Sequence, residues 1–232
     1  MLHRLDEIPV VSTLEQAIEK LLVEEEEDIK LVTRLFESAK SVAKPKALYR
    51  EVFVEKIEDD HVTIDGSHFK SDVLALNLKN VHRVFAYVCT CGTEVDIWSH
   101  NESDYFLSLW LDMIKQMFLT DAIAFLREHI KEVFQFEKLS SVNPGSGNLD
   151  NWPISQQRPL FDMIGNVEDE IGVVLKESFL MVPIKSTSGI LFPSEHEFAN
   201  CALCFREKCV GRRAEFDREL YEMTFAKKAV AS

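Results

Sequence analysis

The sequence predicts an α+β fold in a single domain. Helical spacing of apolar residues dominates the first 45 residues, and strand-like segments begin at residue 46. The later strands do not alternate regularly with helices, as they would in a chain of βαβ units. We therefore expect an N-terminal helical segment, residues 1–45, packed on an α+β core, residues 46–232, that ends in a cysteine cluster and a helix.

Two amphipathic helices are predicted in the N-terminal segment. Ser12 and Glu15 match the S-x-x-E capping box ahead of the first apolar pattern. The acidic run at 24–28 leads into the second helix, which should end near Pro45. We interpret the acidic run as a solvent-exposed helix face, and a specific docking surface is the alternative.

The core is predicted to combine hairpins with one long helical stretch. Residues 103–136 are apolar on most sides and predict a helix, or a broken pair of helices, that runs through the core. The other predicted elements are a hairpin of 47–57 and 61–69, a short helix capped by Ser71, a buried strand at 81–92, a late hairpin of 172–184 and 187–192 connected at 185–186, and a final helix at about 212–228.

The charge and the hydropathy pattern exclude several classes of partner. The formal net charge is −13, whereas nucleic acids and anionic membranes attract basic surfaces, so we expect neither as a partner. No apolar run approaches the roughly 20 residues that a membrane helix requires, and no signal segment opens the chain. We therefore expect a soluble cytoplasmic protein with reduced cysteines.

Unusual backbone conformations are concentrated between residues 144 and 193, which contain five of the eight glycines and five of the seven prolines. The Asn-Pro-Gly-Ser-Gly segment at 143–147 must turn tightly and expose backbone amides, which can bind an anion or a nucleoside. An ordinary turn is the alternative. Neither the P-loop pattern nor the dinucleotide-binding fingerprint is present, which argues against the common glycine-rich nucleotide folds.

A second polar stretch interrupts apolar, strand-like sequence. Ser186, Thr187, Ser188 and Gly189 place small hydroxyl groups and a bare backbone there. Close approach of a ligand or of another backbone would explain this composition, and so would a β-bulge. We interpret the neighbouring Lys185 as a solvent-facing residue.

These stretches together resemble the activation (reactivation) domain of cobalamin-dependent methionine synthase. The resemblance rests on Asn-Pro-Gly at 143–145, on "LFDMIG" at 160–165 and on "IGVVLKESFLMVPIKSTSG" at 171–189. The corresponding family patterns are an Arg-x-x-Pro-Gly-Tyr loop and a T-x-S-x-x-M-x-P-x-x-S-x-S-G strand pair. The resemblance implies one α+β domain with a twisted antiparallel sheet flanked by helices.

The same resemblance implies a ligand and a partner. Family members bind S-adenosylmethionine and dock on a cobalamin-carrying domain, where an electron donor such as a flavodoxin reduces cob(II)alamin before methylation. The Asp-x-His-x-x-Gly pattern that supplies a cobalt ligand is absent, so cobalamin would be supplied by a corrinoid-carrying partner or a core methionine synthase. The implied cofactor-binding residues are Asn143, Pro144, Gly145, Ser146, Ser186, Ser188, Gly189 and Phe198.

The chain departs from the family pattern at two positions of the loop. The loop arginine falls at Ser141, and the loop tyrosine falls at Ser146. An aromatic pair that follows Ser-Gly in the family is represented here by Phe198. A homologue that has lost S-adenosylmethionine binding is therefore an open alternative.

Three cysteines near the C-terminus, in a C-x2-C-x4-C spacing, predict a zinc or iron–sulfur site. The candidate ligands are Cys201, Cys204, Cys209 and His196, with Cys89 or Cys91 as a substitute for the histidine. Structural free thiols and redox disulfide exchange are the alternatives. For the pair at 89 and 91, burial in the core is the expected role.

Taken together, these features favour a stand-alone homologue of the activation domain that supports reductive methylation of cob(II)alamin on a separate protein. Whether it is a methyltransferase component or a reactivation factor stays open. The alternative is a metal- or iron–sulfur-binding docking or electron-transfer partner of a corrinoid methyltransferase that has lost S-adenosylmethionine binding.

Overall fold

A computed structural model describes residues 1–146, 152–195, 198, 200–206, 208, 212 and 214–225, and it confirms the α+β class. The strands are β1 (Leu2–Leu5), β2 (Lys46–Ile57), β3 (His61–Ile64), β4 (Ser67–Lys70), β5 (Arg83–Thr90), β6 (Leu139–Val142), β7 (Val174–Leu175), β8 (Met181–Val182) and β9 (Ser186–Pro193). The α-helices are α1 (Leu14–Leu21), α2 (Glu26–Val42), α3 (Asp72–Asn77), α4 (Thr93–Ser99), α5 (Tyr105–Phe134), α6 (Gln157–Ile164), α7 (Val167–Ile171) and α8 (Arg218–Phe225). Short 3-10 helices span Ile154–Gln156 and Asn200–Leu203.

An antiparallel seven-stranded sheet organises the domain. Its order is β4-β3-β2-β5-β9-β6, and β1 pairs with β2 in addition. Every pairing in this sheet is antiparallel. The predicted hairpin across residues 58–60 is confirmed, but its second strand, predicted at 61–69, is two strands, β3 and β4, which pair with each other. Because β1 pairs with Ala47–Arg50, the N-terminal segment extends the same sheet as the core.

Both faces of the sheet are covered by helices, so side chains alternate between two apolar clusters. Tyr49 and Phe85 point to the cluster formed with α1, α2, α4 and α5. Leu48 and Val84 point to the opposite cluster, formed with α3, α6 and α7. The predicted long helix is one unbroken α5 of 30 residues, and the described part of the chain contains no helix able to cross a membrane.

The late hairpin predicted across residues 185–186 is wrong. Met181–Val182 pairs with β7 in a separate two-stranded sheet, whereas β9 enters the main sheet between β5 and β6. Pro183 has no N–H with which to continue a ladder, and the Lys185 carbonyl accepts a hydrogen bond from Cys91 N–H at 2.9 Å. The chain is thereby directed onto the end of β5.

The predicted capping box is displaced by one residue. Thr13 and Gln16 cap α1 reciprocally, whereas the Ser12 hydroxyl donates to the Asp121 carboxylate of α5 at 2.9 Å. The Ser12 N–H also donates to this carboxylate, at 3.0 Å, so Ser12 is committed to the contact with α5. Elsewhere Ser71 caps α3 as predicted, and the glutamates at 24–27 are exposed.

Candidate functional site

A cleft of about 550 Å³ lies between α5 and the ends of β5, β6 and β9. It brings together the two polar stretches that the sequence separates by 40 residues. The described lining residues are Lys20, Tyr87, Gln116, Leu119, Thr120, Ile123, Asn143, Pro144, Gly145, Ser146, Gln157, Met181, Ser186, Thr187, Ser188 and Arg212.

The Asn143–Ser146 loop is held on β9 by the Asn143 side chain. Its Nδ2 donates to the Ser188 carbonyl at 2.8 Å and to the Tyr87 hydroxyl at 2.7 Å. At the turn, Gly145 has φ +73° and its N–H donates to the Trp152 carbonyl at 2.7 Å. A glycine is favoured at this angle, because other residues rarely adopt positive φ.

Gly189, which was expected to bind the cofactor, is not among the described residues that line the cleft, and it permits the close approach of β6 to β9. A Cβ atom at this position would lie 2.5 Å from Asn143 Nδ2 and 2.6 Å from the Val142 carbonyl oxygen. The pairing of β9 with β5 continues from Ser186 to Leu191 without a register shift. The bare backbone therefore reflects close backbone packing rather than a bulge.

Two buried polar atoms at the cleft have no hydrogen-bond partner among the described residues. They are Ser188 Oγ and Gln157 Oε1. Ser188 is 3% exposed, and Gln157 is 4% exposed. Unpartnered buried polar atoms are uncommon in folded proteins because they forfeit hydration without compensation. By contrast, the Ser186 hydroxyl already donates to Thr90 Oγ1 at 3.0 Å.

Two cationic side chains reach the cleft from other parts of the chain. Lys20, at the end of α1, is exposed and has no ion-pair partner in the described part of the chain. Arg212 donates to the carbonyls of four neighbouring residues, including Cys201 at 3.3 Å and Cys204 at 3.0 Å. Ser141, where the family loop has arginine, is buried in β6.

Phe198 and Lys185 are placed differently from the other expected residues. Phe198 packs against the cluster formed with α3, α6 and α7, and it is absent from the described lining of the cleft. Lys185 is not solvent-facing, because its Nζ lies 2.7 Å from Asp112 Oδ2 of α5 and its side chain is 17% exposed. The prediction for Lys185 is therefore wrong.

The expected metal site receives no support from the described residues. They contain no group of three or more His, Cys, Asp or Glu side chains placed to hold a metal ion, while His196 and Cys209 lie outside them. Cys89 and Cys91 are buried in the cluster with α5, whereas Leu203, between Cys201 and Cys204, packs in the opposite cluster. The sheet thus separates the two cysteine groups.

Sequence reasoning missed several cleft residues. Tyr87 reads as one apolar position of a buried strand, and Gln157 as an ordinary helical residue. Asn200 is also buried, and its Nδ2 donates to the carbonyls of Asn143 and Ser146 at 3.2 Å each. In the sequence, the contact between Asn200 and the loop is indicated only by the position of this polar residue directly before the cysteine cluster.

Comparison with known proteins supports the fold. No family model matches the chain, and no curated protein matches it. A crystal structure described as the MetH reactivation domain bound to AdoHcy superposes with a TM-score of 0.60 and 14% sequence identity. The match covers 99% of this chain and 86% of that one, so nearly the whole chain shares the architecture.

Proposed function

We propose that this protein binds S-adenosylmethionine in the cleft and supports reductive methylation of cob(II)alamin on a separate corrinoid protein. The observation that carries the proposal is the pair of unpartnered buried atoms, Ser188 Oγ and Gln157 Oε1, at a cleft built from the loop and strand of the family resemblance. The fold likeness to a domain whose crystal structure contains AdoHcy supports the same ligand class.

The chemical groups of the cleft suit the parts of this ligand. Gln157 Oε1 can accept a hydrogen bond from an amino group, and Ser188 Oγ can donate or accept one. Lys20 places positive charge at the cleft, where a carboxylate could bind, which would compensate for the serine at position 141. The apolar side chains of Leu119 and Ile123 offer surface to the ligand's apolar parts.

In this proposal the cofactors supply the organic chemistry, and the chain supplies positioning. One electron from a donor such as a flavodoxin would reduce the partner's cob(II)alamin. The cobalt would then take the methyl carbon from the sulfonium of S-adenosylmethionine, whose C–S bond breaks to leave AdoHcy. The residues of this chain would bind the ligand, orient its methyl group and exclude water.

The rim of the cleft offers a surface for the corrinoid partner. Leu180, Val182 and Ile184 are exposed at 58%, 38% and 71%, beside Met181, which lines the cleft. Exposed apolar residues that adjoin a ligand site are typical of docking surfaces. We therefore place the partner over this rim, where its corrinoid could reach the bound methyl group.

Calorimetric titration with S-adenosylmethionine and with AdoHcy tests the ligand. We expect a dissociation constant of about 1–100 μM for the wild type, and loss of binding in Ser188→Trp, which fills the cleft. Ser103→Trp, in an exposed loop, is the control and should bind normally. Absence of binding to the wild type, or unchanged binding to Ser188→Trp, would overturn the proposal.

A separate assay tests the rim. Ile184→Asp should slow methylation of a corrinoid partner while leaving S-adenosylmethionine affinity unchanged. Val133→Asp is the matched control, because Val133 is also exposed but lies far from the cleft. It follows the cleft residue Ile123 by ten residues on α5, which corresponds to about 15 Å along the helix. Equal effects of the two substitutions would contradict docking at the rim.

A further inference from the structure

Cys201 and Cys204 are placed as a dithiol pair. The Cys204 N–H donates to the Cys201 carbonyl at 3.1 Å, which closes a turn of the 3-10 helix Asn200–Leu203. Residues three apart in such a helix project from the same side, and their Cα atoms lie within about 7 Å. A disulfide requires a Cα separation of about 4.4–6.8 Å. The hydrogen-bonded turn therefore brings the two Cα atoms close to the separation that a disulfide requires.

We propose that Cys201 and Cys204 form a reversible disulfide that changes the conformation of the cleft loop. This inference concerns a modification site outside the cleft. Its effect on ligand affinity rests on the proposed function, whereas disulfide formation does not.

The surroundings of this pair differ from those of the other described cysteines. Cys201 and Cys204 are both partly exposed, and the positively charged Arg212 lies against their carbonyls. Partial exposure leaves both thiols accessible to a small oxidant. Cys89 and Cys91 are fully buried, and burial raises the pKa of Cys91 to about 12, so the core thiols are inert.

Asn200 connects the pair to the cleft. It directly precedes Cys201, is 1% exposed, and donates to the carbonyls of Asn143 and Ser146. Closing a disulfide between Cys201, the next residue, and Cys204 changes the torsion angles of the turn that positions Asn200. Because its side chain has little room in the core, the loop carbonyls that it holds must adjust with it.

The reaction balances with a low-molecular-weight disulfide such as oxidised glutathione as the oxidant. One cysteine thiolate attacks a glutathione sulfur, the S–S bond of glutathione breaks, and one glutathione thiolate leaves. The second cysteine then attacks the mixed disulfide and releases the second glutathione. The protein loses two electrons and two protons, and oxidised glutathione becomes two reduced molecules.

Mass spectrometry after equilibration with glutathione redox buffers tests the disulfide, using the wild type and Cys209→Ser. We expect both proteins to lose two hydrogens and to yield a peptide with Cys201 linked to Cys204. Cys204→Ser should instead retain glutathione on Cys201. The proposal would be overturned if both cysteines stayed reduced in oxidising buffer. It would also be overturned if the anaerobically purified wild type held a stoichiometric metal that protects them.

Hydrogen exchange of residues 140–146, measured without S-adenosylmethionine, tests the coupling separately. We expect the exchange rate of this segment to differ at least about 5-fold between reduced and oxidised Cys209→Ser, the lower end of typical coupling between sites. Asn200→Ala should remove that redox dependence while the disulfide still forms. Identical exchange in both redox states would overturn the coupling. Because no ligand is present, failure of S-adenosylmethionine binding would not affect this result.

Discussion

The Asn143 side-chain amide donates to the Tyr87 hydroxyl at 2.7 Å, across 56 residues of sequence. The same amide donates to the Ser188 carbonyl at 2.8 Å, so one side chain joins the loop after β6 to β5 and β9. The shape of the cleft therefore depends on this polar contact as well as on apolar packing.

Replacing Tyr87 with Phe should loosen the loop. The substitution leaves one amide hydrogen of Asn143 without this acceptor, which costs about 1–3 kcal/mol of unfolding free energy. S-adenosylmethionine affinity should fall as well. Tyr49→Phe is the control, because it removes a hydroxyl that contacts His129 at 3.2 Å but is not among the described cleft residues. Urea unfolding and calorimetry would separate the effects, and equal affinities in the two variants would contradict the prediction.

Gln157→Met should weaken ligand binding without lowering the stability of the fold. The buried Oε1 has no partner among the described residues, so its removal should leave the unfolding free energy unchanged or raise it. If the ligand pairs with this atom, the dissociation constant should rise about tenfold, which corresponds to ~1.4 kcal/mol. Gln156→Met is the neighbouring control. It loses the bond from Lys70 N–H, so it should reduce stability without changing affinity.

Gly189→Ala should destabilise the sheet by about 1–3 kcal/mol, a typical cost of overpacking. The added methyl group would lie 2.6 Å from the Val142 carbonyl oxygen. Because this oxygen belongs to the backbone of a paired strand, it cannot easily move away. Ser188→Ala, one residue earlier, removes only an unpartnered hydroxyl and should not reduce stability. Thermal unfolding of both variants checks this, and an unchanged midpoint for Gly189→Ala would refute it.

Lys115→Met should be among the most destabilising single substitutions in α5. The Lys115 Nζ donates to Asp96 Oδ1 and to Ser99 Oγ at 2.9 Å each, and the ion pair is about 90% buried. Removing the lysine leaves a buried carboxylate without its counter-charge, which costs about 3–5 kcal/mol. Lys30→Met breaks an exposed pair with Glu26 and should cost less than about 1 kcal/mol. Chemical denaturation would rank the two, and a similar cost for both would contradict the prediction.

Stability should decrease as the pH falls below about 6.5. Burial lowers the pKa of His3, which stacks on Tyr49; the positive N-terminus lowers it further, Glu51 raises it, and His129 lowers it slightly. A histidine with a lowered folded-state pKa binds its proton more readily in the unfolded chain. Its contribution is therefore complete above the unfolded pKa of about 6.5 and is lost as the pH falls through the folded value. His3→Phe retains the ring contact, and its unfolding free energy should depend less on pH between about 5 and 7; an unchanged pH dependence would exclude His3 as the cause.

Much of the fold could be predicted from the sequence because the relevant signals are local. Apolar spacing located α1, α2, α5 and the first hairpin, and Ser71 marked the start of a helix through its own capping bond. The short helices α4 and α7 were not predicted. The loop at Asn143 and the small residues at Ser186 to Gly189 were visible because tight backbone approach restricts which residues fit. Local periodicity could not place β8 and β9 in different sheets, since both are short and strand-like.

By itself, the sequence determined the α+β class, most element positions and the two stretches that form the cleft. Only the tertiary structure decided which distant side chains converge on them, because such contacts depend on packing rather than on spacing. Ser12 binds Asp121 across 109 residues, and this contact displaced the capping role to Thr13. In the same way Gln157 and Arg212 reach the cleft from segments whose local sequence does not indicate a site.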